Sequence, residues 1–221
     1  MSLTINNDSA IGIALITLNR SSSLMNEAME RLSTGKRINK ASDDPAGIHQ
    51  VMRLNAEIQG IETASKNAAD GQSLIDTLET SLSEVQSILL RMRELTIQAI
   101  SDTNSAADRL ALDSELSQLE LEITRIGSTT SFGGKPVFDG NLHYLQIGPR
   151  SGNTLEVQAY TLSASTLGLT QDLTTRSNAE NYLDIIDTAI KDINEKRGAA
   201  GALSNRLDFI MSNLDNSKVN L

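Results

Sequence analysis

A chain of 221 residues has room for one or two domains. Its net charge of −9 leaves no clustered excess of Lys and Arg for phosphate, which argues against nucleic acid and anionic membrane surfaces as partners. Cys is absent, so no disulfide and no thiolate metal site can form. Aromatic residues make up only 3% and Trp is missing, so the core is built from Leu, Ile, Val, Ala and Met. That set suits helix-on-helix packing, and with only three Pro the helices can run unbroken.

The first helical segment is expected from about Asn7 to Ser33. Leu15, Leu18, Ser22, Met25, Met29 and Leu32 follow a 3-4-3-4-3 spacing and make one narrow stripe, weakened by three serines at 21–23. The apolar run Ile11–Leu18 has no basic stretch before it and no small-residue cleavage site after it. It does not read as a Sec signal peptide and is too short to span a bilayer. Next comes "RLSTGKRINKASDDPAG", residues 31–47. Gly35 stands where a helix C-terminal Gly belongs. Asp43 or Asp44 is placed to cap a helix that opens at Pro45. The stretch therefore reads as a joint between two helices.

Beyond the joint, Leu54, Ile61, Ala68, Ile75, Leu82 and Leu89 recur every seven residues, beside a second line of Leu78, Val85, Met92 and Ala99. A helix from Pro45 to about Ile100 is roughly 80 Å long at ~1.5 Å per residue, which predicts an elongated rod. A polar break at 101–108 precedes a third helix, 107–127, striped by Leu112, Leu116, Leu119, Ile123 and Ile126 and ending at Gly127. The short link makes it antiparallel to the second. Residues 128–169 change character: "FGGKPVFDGN" is turn chemistry, and "LHYLQIG" and "NTLEVQAYTL" alternate as the strands of a β-hairpin. The last helix is expected over 178–217, with Leu183, Ile186, Ile190, Ile193, Leu203, Leu207, Ile210 and Leu214 inward. Its "GAAGA" at 198–202 either allows a close helix approach or weakens the helix, and the stripe resuming beyond it favours the close approach. The fold class is mainly α, an elongated rod of long antiparallel helices with a small β-hairpin region.

No catalytic pattern emerges. Gly35-Lys36 is followed by Arg37 and lacks the remainder of a phosphate-binding loop. Asp43-Asp44 has no calcium-loop spacing around it. His49 and His143 belong to no zinc motif, and Glu115, Glu120 and Glu122 fall at helix-surface spacing. The residues alone describe an elongated structural or interaction protein, with no cofactor and no metal.

Taken together, "MNEAMERLSTGKRINKASDDPAG", "NAEIQGIETASKNAADGQSLIDTLETSLSEVQSILLRMRELTIQA", "STTSFGGKPVFDG", "LQIGPRSGNTLEVQ" and "AIKDINEKRGAAGALSNRLDFIMSNL" resemble bacterial flagellin, in the family's order and over most of the chain. The resemblance implies a secreted structural subunit of the flagellar filament, exported without a Sec signal. It makes 1–34 a filament-core helix, 35–46 a spoke and 47–221 a rod domain with helices at 47–100, 107–127 and 178–217. Other flagellin subunits, an export chaperone, and hook-associated and cap proteins are the implied partners. Family members carry some forty residues after "NL", so a trimmed or shortened form is expected at Leu221, with no intramolecular partner for the first helix. The hook–filament junction protein, which shares a similar "STGKR…SDDPAG" stretch, is the alternative within the same apparatus. A zinc-protease insertion has no motif here, and a chemoreceptor rod would need a membrane anchor. In "LLRMREL", 89–95, the resemblance also implies a patch for the animal Toll-like receptor that detects flagellin, formed by Arg91, Leu95 and Glu115. The polar residue usual before that Arg is Leu90 here. The rod-core seam is expected at Leu54, Ile61, Ile75, Leu82 and Leu89.

Overall fold

The structure, a computed structural model, describes residues 8–221, so the expected start at Asn7 lies outside the described residues. The chain forms two compact units, Met1–Glu57 and Ile58–Leu221.

The first unit holds α1 (Asp8–Thr34), the joint, and residues 45–57 of α2 (Pro45–Ile100). After α1 the chain turns at Gly35, whose φ of 65° is the left-handed conformation that ends many helices. The two aspartates of the joint divide the work. Asp43 Oδ2 accepts the backbone N–H of Asn39 and Lys40 at 3.0 and 2.9 Å and so closes the turn. Those two amides hold its carboxyl below the usual carboxylate range, that of Lys40 foremost. Asp44 Oδ1 accepts the Gly47 N–H at 2.9 Å, which caps α2 ahead of Pro45. Lys40 Nζ reaches back to Glu30 Oε2 at 2.7 Å and ties the joint to α1.

The second unit packs the rest of α2 with α3 (Ala106–Thr129), two β-hairpins and α4 (Arg176–Asn220). Ser105 and Asp108 start α3 with a reciprocal capping box, and Thr175 caps α4. Each helix supplies an aliphatic stripe. Ile75, Leu78, Leu82, Val85, Leu89, Met92 and Ala99 of α2 meet Leu116, Ile123 and Ile126 of α3 and Tyr182, Ile186, Ala189, Ile193 and Leu207 of α4 in one core. Farther along, Ile61 and Ala64 form a separate small cluster with Leu214, and Leu54 is half-buried. At ~1.5 Å per residue the 45 residues of α4 extend about 68 Å.

Two short hairpins lie between α3 and α4. In the first, β1 (Ser131–Phe132) pairs with β2 (Lys135–Pro136) across Gly133-Gly134, both at positive φ, as a two-residue hairpin turn requires. In the second, β3 (Leu142–Gln146) pairs antiparallel with β4 (Thr154–Gln158), with Leu145 opposite Leu155. The alternation in β4 turns Leu155 and Val157 into the core.

Three expectations are corrected. Gly127 does not end α3, which runs on to Thr129; it is buried, and a Cβ there would strike the Leu162 carbonyl. The glycine marks a close approach, not a stop. Gly198 and Gly201 show the reverse, since a Cβ at either would meet nothing; of the "GAAGA" run only Ala200 is buried. Glu120 is not an ordinary surface carboxylate. It is half-buried and accepts the Tyr182 hydroxyl at 2.5 Å. Burial pushes its carboxyl up, against the lowering effect of that hydrogen bond. The Tyr182 hydroxyl is itself pushed up, by burial first and Glu120 second.

Candidate functional site

Two helical surfaces stand out among the described residues. The first is α1. Its stripe of Leu15, Leu18, Met25, Met29 and Leu32 faces solvent, with Leu18 at 65% and Leu32 at 82% exposure. Ile11, Ile13, Ile16 and Leu24 are exposed as well. That is far more apolar area on one helix than scattered surface residues account for, and such faces mark interaction sites.

The second surface is the ridge where α2 and α3 run side by side. Arg91 donates from Nε and Nη2 to Glu115 Oε1 at 3.0 and 2.7 Å, and from Nη1 to Glu94 Oε2 at 3.2 Å. The fork thus bridges two helices while staying accessible, with the Arg91 and Glu115 side chains 49% and 46% exposed. Glu115 first, then Glu94, holds the guanidinium's proton more firmly still. Leu95 does not join them. It is 1% exposed, a core residue with no surface to present. Apolar area on the exterior of α2 here comes instead from Leu90 and Ile97, two helical turns apart, and α3 exposes Leu110. The spacing of Leu90 and Ile97, seven residues and off the buried seam, was the sequence signal for that outer line.

Neither histidine builds a site. His49 is exposed, and His143 Nε2 lies 3.3 Å from Asp139 Oδ1 in the hairpin. No cluster of His, Asp and Glu able to hold a metal occurs among the described residues, and none of their helices is long and apolar enough to cross a membrane.

A long-helix fold with bare apolar and charged ridges defines a structural, interaction-driven class of protein. Residues 5–143 match the family described as the bacterial flagellin N-terminal helical region. A flagellin of Halalkalibacterium halodurans is 42% identical over 200 residues, 88% of this chain and 74% of that protein. The B-type flagellin of Pseudomonas aeruginosa is 40% identical over 76% of this chain, but the match spans only 35% of its own length. Among solved structures, Bacillus cereus flagellin aligns with a TM-score of 0.62 and 35% identity, covering 67% of this chain and 88% of that one. A flagellar hook-associated protein from Vibrio parahaemolyticus aligns with a TM-score of 0.69 over 81% of this chain and 96% of that one, but at 17% identity it shares the fold alone. The chain belongs to the flagellin family, whose members are structural proteins of the bacterial flagellar filament.

Proposed function

We propose that this chain is a subunit of the extracellular flagellar filament, without catalytic activity, and that copies assemble through the exposed apolar face of α1. The observation that carries the reading is that face itself, an amphipathic helix with its apolar stripe in water. An isolated stripe of this kind is stabilised by a partner helix of matching period. In this reading residues 1–34 supply the filament core, 35–46 the spoke and 47–221 the rod. Export proceeds without a Sec signal, with an export chaperone and hook-associated or cap proteins as further partners.

A tagged copy of this chain, supplied to bacteria that build filaments from their own flagellin, should appear in those filaments by immunogold electron microscopy. Leu18→Asp combined with Met25→Asp should abolish the incorporation, while the purified variant keeps the melting midpoint of the parent. Equal incorporation of the double variant contradicts the reading.

The Arg91–Glu115 ridge is the proposed contact for the host Toll-like receptor, with Leu90 and Ile97 in the apolar role that buried Leu95 cannot fill. Arg91→Ala should weaken receptor binding about tenfold or more, as for an Arg near the centre of an interface. Equal binding would leave the pair an ordinary surface bridge.

A further inference from the structure

A groove of 360 Å³ runs along β4. One wall is Glu156, Val157 and Gln158; the other is the α4 stripe Ala199, Ala202, Leu203 and Arg206; Ile75 and Leu78 of α2 also line it. Alternate side chains of a strand point to opposite faces, so three consecutive residues line one groove only along the strand's edge. The hydrogen-bond register agrees. Ile147 N–H bonds Asn153 C=O and Ala159 N–H bonds Asn141 C=O, which makes the odd-numbered residues of this stretch the ones bonded to β3. Thr154, Glu156 and Gln158 therefore direct their amides and carbonyls outward. Among the described residues no backbone group pairs with them.

The groove thus combines an open strand edge, an aliphatic lining and a helix wall of small side chains. Arg206 stands in it with no ion-pair or hydrogen-bond partner among the described residues. At the same groove, Lys196 Nζ lies 5.4 Å above the Tyr160 ring, so Tyr160 is held in place there.

We infer that this groove takes an extended segment of another protein as a third strand on β4, with a carboxylate of that segment meeting Arg206. Backbone hydrogen bonds to Glu156 and Gln158 supply the pairing, and aliphatic side chains at every second position fill the space against Ala202 and Leu203. The unpartnered guanidinium selects the carboxylate. A second copy's β4 does not fit, because that strand carries its own α4 wall along the same edge. The groove uses no residue of the α1 face and does not depend on filament assembly.

The probe is a blocked hexapeptide, Val-Thr-Val-Thr-Val-Asp, titrated into the isotopically labelled full chain and followed by amide NMR. The Glu156 and Gln158 amides should shift, and their hydrogen exchange should slow about tenfold or more on saturation. Arg206→Glu should weaken binding by about tenfold or more, as should Asp→Asn in the peptide on the parent chain. Ala202→Trp, at an exposed position, should fill the groove and abolish binding with the fold intact. No shift at Glu156 and Gln158 at millimolar peptide overturns the inference. So does equal affinity for a peptide methylated on its alternate amide nitrogens. Shifts at these amides on raising the chain's own concentration, without peptide, would put a second copy in the groove instead and also overturn it.

Discussion

The α1 stripe and the α2 seam are written in nearly the same residues and have opposite surroundings. Leu15, Leu18, Met25, Met29 and Leu32 recur at heptad-like spacing and lie open to solvent. Ile75, Leu82 and Leu89 of α2 recur at the same kind of spacing, yet at 0–2% exposure they are sealed against α3 and α4. Periodicity therefore reports that a helix has an apolar side; it does not report whether the chain itself covers that side. In the second unit the cover is intramolecular and yields stability. In the first, the same chemistry faces solvent.

The strongest way to break this contrast is to place the same charge in both stripes. Leu82→Asp buries a carboxylate with no partner and should cost about 4 kcal/mol or more, enough to unfold a marginal domain. Leu18→Asp sits in water already and should leave the melting midpoint within the ±0.5 kcal/mol or so of ordinary surface changes. Similar losses from both substitutions, measured by denaturant titration, would erase the distinction.

Gly127→Ala probes how tightly the second unit is closed. The added methyl meets the Leu162 backbone carbonyl, which cannot rotate away as a side chain would. The expected loss is about 1–3 kcal/mol, typical of overpacking. An unchanged midpoint would mean that the loop at Leu162 yields freely.

Much of this was legible in the sequence because aliphatic spacing decides which side of a long helix is buried. The joint, the antiparallel helices and the β3–β4 hairpin all follow from spacing and turn residues. What was not legible depends on a neighbour in space. Leu95 was placed beside Arg91 by the resemblance, and it does lie four residues beyond it, about one helical turn. It is also three beyond Met92 and four before Ala99, and that proximity to the seam wins. Glu120 lies between Leu116 and Ile123 at helical spacing, so it was on the core side of α3. Only the approach of Tyr182 from α4 explains how a carboxylate is accommodated there. A glycine in a helical pattern reads the same whether it stops a helix, as Gly127 was expected to, or admits a neighbouring backbone, as it does.

Glu120 gives the smallest and most specific test. Its folded carboxyl titrates above its unfolded value of 4.5, mainly because burial disfavours the charge. The stabilising contribution is then fully present below that unfolded value and lost as pH rises through the folded one. Glu120→Gln keeps an acceptor for the Tyr182 hydroxyl without the charge. The variant should melt slightly higher than the parent at pH 7, and this advantage should shrink as the solution is acidified through the raised value. A difference independent of pH would show that the carboxylate is solvated as well in the folded chain as in the unfolded one.

The central claim, one apolar stripe covered and one left open, is tested most directly by amide hydrogen exchange on the dilute chain. A lone amphipathic helix is marginal in water, whereas a packed one opens only with its domain. Residues 8–34 should exchange orders of magnitude faster than residues 75–99 and 116–126. Equal protection of α1 and the α2 seam in the dilute chain would contradict the account.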